Sequence, residues 1–140
     1  MFTPLLPEGH AFPDPQPQLV RERLRDPAVT LLVAEQADEL VGFTACGATR
    51  DEDGEAGTGE IRTFFVWPGS WRRGVGRALM RAALDDLRAR GYERCTVWSF
   101  AANHGANSFY EAVGFTRDGA ERTEAAWAHI LEIRYARALP

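Results

Sequence analysis

The period of the apolar pattern changes once, near residue 70, and that change restricts the fold more than any other feature of the chain. Before it, apolar residues come in short runs at 30–35 (TLLVAE), 40–49 (LVGFTACGAT) and 60–67 (EIRTFFVW). The first two runs are joined by Gln36-Ala37-Asp38-Glu39, and the acidic stretch 50–59 holds the turn signal Asp53-Gly54. Such runs bounded by turn formers predict an antiparallel meander. From Gly74 to Arg90, by contrast, Val75, Leu79, Ala83 and Leu87 recur at every fourth position, with Met80 and Leu84 beside them. Arg77, Arg81, Asp85 and Arg88 lie off that stripe, so the segment predicts an amphipathic helix stopped at Gly91.

The remaining segments extend the pattern. Residues 93–100 (ERCTVWSF) read as a strand, and Asn103 can cap a second helix carrying Ala106, Phe109 and Val113 up to Gly114. Over 130–139, Leu131, Ile133 and Tyr135 alternate with Glu132 and Arg134, as in a half-buried strand, with one or two strands expected in this last part. Residues 1–18, punctuated by Pro4, Pro7, Pro13, Pro15 and Pro17, read as an extended arm. A short helix over 19–25 should stop at Asp26-Pro27. The expectation is an arm over 1–18 and one domain over 19–140, an α/β fold with a mixed, mostly antiparallel sheet flanked by helices.

Composition narrows the function classes. A formal charge of −4 fits neither nucleic acid nor an anionic membrane as the main partner. Cys46 and Cys95 lack metal-site spacing and fall in strand-like runs, so free buried thiols and no metal are expected. No run reaches the ~20 apolar residues that span a bilayer, and the start has no leader pattern, so the cytoplasm is the expected compartment.

The stretch from Val66 to Leu79 (VWPGSWRRGVGRAL) carries the most chemistry. A strand ends, a loop turns, and Gly74 and Gly76 open the helix. Glycines let a phosphate approach the backbone, where the first helical N–H groups lack intrahelical partners and the dipole favours an anion. Arg72, Arg73 and Arg77 add positive charge. A tight turn with solvated arginines is the plain alternative. A dinucleotide fingerprint does not fit, because Leu79 stands where its third glycine would be, and no Walker Gly-Lys-Ser/Thr follows.

Val-x-Pro followed by x-Arg-Arg-Gly-Val-Gly-Arg-Ala-Leu resembles motif A of the GNAT N-acetyltransferases. Asn103-His104-Gly105-Ala106-Asn107-Ser108-Phe109-Tyr110-Glu111-Ala112-Val113-Gly114-Phe115 is similar to their motif B. The two come in the family's order and spacing, and the resemblance runs over roughly 28–139. Two departures stand out: Trp71 replaces the usual Gln or Arg, and the proline-rich arm replaces the usual first strand and long first helix.

The resemblance implies a GNAT-like fold and direct transfer of an acetyl group from acetyl-CoA to a primary amine of a small molecule or protein. It implies a third strand that splays from the strand carrying Val97, with backbone N–H groups of Phe65, Val66 and Trp67 polarising the thioester carbonyl. Arg72, Arg73, Gly74, Val75, Gly76 and Arg77 would hold the pyrophosphate. Asn103 would be a helix cap, a pantetheine contact or both. Tyr110 matches the frequent general acid, since a phenol that ordinarily titrates at about 10 suits donation to a thiolate; the plain alternative is an aromatic packed on the helix. Glu60 matches the frequent carboxylate base, or else forms an ion pair with Arg62 on its face. A non-catalytic acetyl-CoA-binding regulatory module is the alternative function. The missing first elements further imply a homodimer.

Overall fold

The computed structural model describes residues 28–71, 73–125 and 128–140. The arm over 1–18, the expected helix over 19–25, Arg72 and Trp127 lie outside the described residues.

β1 (Val29–Gln36) and β2 (Glu39–Ala48) form the expected hairpin. Its two-residue turn, Ala37 and Asp38, has φ of 50° and 65°, the double left-handed geometry whose twist matches the flanking strands. β3 (Thr58–Val66) pairs antiparallel with β2. Ala45 faces Thr63 but the next residue, Cys46, faces Ile61, so Arg62 is an extra residue in β3. Such a bulge reverses which alternate side chains share a face. Gly59 and Ile61 before it, and Phe64 and Val66 after it, therefore look toward the same side.

That side receives α1 (Val75–Ala89), which buries Val75, Leu79, Met80, Ala83, Leu84 and Leu87, the stripe legible in the sequence. β4 (Arg94–Phe100), α2 (His104–Ala112), β5 (Thr116–Arg122) and β6 (Glu132–Ala138) complete the order. The strands lie β1-β2-β3-β4-β6-β5, with β4 parallel to β3 and every other pair antiparallel. This is the expected mixed, mostly antiparallel sheet. β5 is the strand that alternation does not locate, because TRDGAER carries no large apolar residue. Pairing to β6 on both sides of a bulge at Gly119 holds it on the sheet edge.

α2 shares the face of α1. Ser99 Oγ donates to Asn107 Oδ1 of α2 at 2.7 Å, and Cys46 Sγ lies 3.8 Å from Asp86 Oδ2 of α1. The Gly-Phe that ends motif B has a local cause. Gly114 (φ 98°) donates to the Glu111 carbonyl and Phe115 to the Tyr110 carbonyl, while the Phe115 ring packs on Tyr110. This double bond with its apolar contact is a Schellman stop, which needs a left-handed residue. Gly91 and Tyr92 close α1 with the same pair of bonds. Between helices and sheet lies the core of Ile61, Cys95, Val97, Tyr110 and Tyr135 with the α1 stripe. Cys46 and Cys95 are free and buried, as expected.

Candidate active site

β3 and β4 pair only from Thr58–Ile61 to Arg94–Val97. Beyond that point β3 stays on β2 as far as Val66, and β4 stays on β6 as far as Phe100. The two halves of the sheet thus part along a wedge walled by the end of β3 and the end of β4. Trp67 N–H donates to the Val41 carbonyl at 2.8 Å. Because an antiparallel ladder alternates, Trp67 and Phe65 turn their backbone groups to β2, while Phe64 and Val66 turn theirs to the wedge. Of the three N–H groups expected at the thioester, that of Val66 faces the opening.

The loop leaving β3 is tightly held. Ser70 N–H reaches the Trp67 carbonyl at 2.8 Å and Trp71 N–H the Pro68 carbonyl at 3.2 Å. The Trp71 indole N–H donates to the Val66 carbonyl at 2.8 Å. The residue that replaces the family's Gln or Arg therefore braces the mouth of the wedge. Gly74 follows as the N-cap of α1 with φ 82°, a left-handed conformation costly for any side chain. Open space surrounds the place of its absent Cβ. Its carbonyl accepts the opening bond of the helix, from Ala78 N–H, leaving the N–H groups of Val75, Gly76 and Arg77 ahead of the helical ladder. Val75 and Gly76 are buried, Arg73 and Arg77 are exposed, and the first turn has no acidic residue. This geometry suits an anion.

Asn103 stands across the wedge at the start of α2. Its Oδ1 accepts from Ala106 N–H at 3.2 Å, the expected cap. Its Nδ2 is buried and has no partner among the described residues, a donor left over after capping. Tyr110, 4 % exposed, packs among Phe64, Phe109, Phe115 and Tyr135. Burial pushes its phenol well above the usual range, so the group stays protonated.

Glu60 is 1 % exposed. Its partner is not Arg62 but Arg50, whose backbone N–H reaches Oε1 at 2.9 Å and whose guanidinium reaches Oε2 at 2.7 Å. Arg62, displaced by the bulge, donates instead to the Ala48 carbonyl at 2.9 Å. The acidic stretch after Arg50 folds back over the sheet. Asp51 accepts the Trp98 indole N–H at 3.0 Å, and Arg134 binds Asp51, Asp53 and Asp118 at 3.1, 2.8 and 2.6 Å. Arg122 lies over the Trp98 ring at 4.1 Å and donates to Glu132 Oε2 at 2.8 Å. Trp98, Arg122, Glu132 and Arg134 form a polar floor that sequence reasoning missed. Three separate strands, β4, β5 and β6, supply it, and no local motif records their meeting. His104 and His129 are exposed.

A family model described as the acetyltransferase (GNAT) family matches residues 2–115. The chain belongs to the GNAT acetyltransferase family. The match takes in most of the arm, which the motif resemblance alone left out. A mycothiol acetyltransferase of Beutenbergia cavernae is 48 % identical over 62 residues, 44 % of this chain and 21 % of the relative. The uncharacterized N-acetyltransferase YsnE of Bacillus subtilis is 33 % identical over 96 residues, 67 % of this chain and 60 % of YsnE. This GNAT chain thus spans less than two thirds of the length of either relative. Its fold matches the PaiA N-acetyltransferase from Thermoplasma acidophilum in complex with coenzyme A, with a TM-score of 0.65 at 18 % identity, covering 86 % of this chain and 67 % of that one. Among the described residues no helix is long and apolar enough to cross a membrane.

Proposed function

We propose that this GNAT protein transfers an acetyl group from acetyl-CoA directly to a primary amine. The observation that carries the reading is the wedge, opened where β3–β4 pairing stops at Ile61 and Val97, beside the uncapped N-terminus of α1. The coenzyme A complex of the Thermoplasma neighbour supports the same co-substrate.

The residues present fit that molecule. Val75, Gly76 and Arg77 N–H groups, with Arg73 and Arg77 side chains, would hold the pyrophosphate, joined by Arg72 from outside the described residues. The leftover Nδ2 of Asn103 would meet a pantetheine carbonyl. Phe65, Val66 and Trp67 would line the thioester, with Val66 N–H directed at the developing oxyanion. The neutral amine attacks the thioester carbonyl, the C–S bond breaks, the departing thiolate takes the proton of Tyr110, and the proton shed by the new amide nitrogen returns through water to Tyr110. The test is acetyl-CoA turnover against a mycothiol-type amine, polyamines, aminoglycosides, amino acids and peptides, with the mycothiol-type amine first because of the named relatives. Thiol release with at least one acceptor is the expected result, and tight acetyl-CoA binding without turnover of any would overturn it. A homodimer is also expected, with β1 at one edge of the described sheet and Val33 exposed on it. Light scattering at micromolar concentration checks this, and a mass of one chain on concentration would refute it.

A further inference from the structure

We propose that Glu132, at the start of β6, receives the acceptor's ammonium group and takes its proton, an inference that rests on the acetyltransferase reading above. Glu132 pairs with Phe100 on β4, past the point where β4 leaves β3, so it stands at the wedge. Alternation along β6 puts it on the face of Arg134, whose guanidinium lies 5.5 Å from the Trp98 ring. This face is opposite α1 and α2, the side from which an acceptor can meet a thioester held in the wedge.

The carboxylates of that face are not equivalent. Glu60 has both oxygens on Arg50. Asp51 has both on the Trp98 indole, and one on Arg134 as well. Asp53 has both on Arg134. Asp118 has one on Arg134 and the other on Ala120 N–H. Glu132 has a side chain only 8 % exposed, with Oε2 on Arg122, and no described residue bonds Oε1. A buried carboxylate fixed by one oxygen, with no partner among the described residues at the other, is a receptor for a charged N–H donor.

Its surroundings also suit proton uptake. Burial raises the Glu132 carboxyl above its ordinary value, opposed by Arg122 and reinforced by Glu124. Arg122 also faces Asp51 at 3.8 Å, and Arg134 follows two residues along β6. A raised carboxylate is a better base near neutral pH. The ammonium gives one proton to Oε1, and the freed lone pair attacks the carbonyl carbon. The carboxylic acid then returns its proton to water.

The 140-residue chain, labelled with ¹³C at glutamate carboxyls and ¹⁵N at indoles, is titrated with ethylammonium chloride and, at equal ionic strength, potassium chloride. Ethylammonium alone should shift the Glu132 carboxyl and the Trp98 indole in the wild type and in the exposed-site control Asp85→Asn. Glu132→Gln should abolish the response and Glu132→Asp should weaken it. An equal response to potassium, or an unchanged response in Glu132→Gln, overturns the assignment. Calorimetry with acetyl-CoA on the same samples separates the two readings. A wild type that binds ethylammonium but not acetyl-CoA leaves the ammonium site standing and removes the acetyltransferase reading. With an amine that is turned over, Glu132→Gln should lower kcat/KM about 10²-fold and shift the acidic limb of its pH profile.

Discussion

Tyr110 sits where burial holds its phenol protonated among four aromatic rings. If it supplies the proton to the thiolate, Tyr110→Phe should lower kcat about 10²-fold while leaving acetyl-CoA affinity unchanged, because the bond it removes is made in the transition state. Steady-state kinetics beside calorimetry checks both halves. The buried thiols give a second residue-scale expectation. Burial and Asp86 push Cys46 from 9.0 to about 12, and burial pushes Cys95 to about 12 as well. Below pH 9 both states hold the proton; above it the unfolded chain ionises first. Stability should therefore fall as pH rises from 9 toward 12, by at most about 1.4 kcal/mol per pH unit for each thiol. Urea unfolding at pH 8 and pH 10.5 measures this fall, and Cys46→Ala should reduce it. Tyr110 and Asn103 were legible at this scale because a local motif carries them. Glu132 was legible only as the polar side of an alternating strand.

At the scale of elements, the anion site proposed at the start of α1 needs its first turn to stay open. Gly76→Glu puts a side chain and a negative charge on the buried backbone of that turn. Acetyl-CoA affinity should fall at least tenfold, about 1.4 kcal/mol, with circular dichroism confirming an unchanged fold; unchanged affinity would remove this site. The helix was readable because a four-residue repeat and its glycines lie within one segment. The bulge at Arg62 was not. Whether Ala45 and Cys46 meet consecutive or alternate residues of β3 depends on the register of two strands, which no single strand's pattern contains. The same register returns Phe64 to the core face and takes Arg62 away from Glu60.

Across the whole molecule, Arg134 ties the β2–β3 loop to the far end of the sheet through Asp51, Asp53 and Asp118. Arg134→Met keeps most of the side-chain volume but leaves Asp51, 9 % exposed at its side chain, without this charge partner. The loss should be about 2 kcal/mol, below that of a fully buried pair because Asp53 is largely exposed. Urea denaturation measures it, and an unchanged midpoint would mean Arg122 and Trp98 suffice to hold the loop. The sequence by itself determined the strands with apolar runs or alternation, both helices with their glycine stops, the Asn103 cap of the second, and the family motifs, because each is a pattern of near neighbours. Only the tertiary structure decided where β3 and β4 part, that Glu60 is paired by Arg50, and that Trp98, Arg122, Glu132 and Arg134 share one floor. Those outcomes depend on strand order and register, which bring distant residues together through a sheet whose pairing is set by the packing of the whole chain.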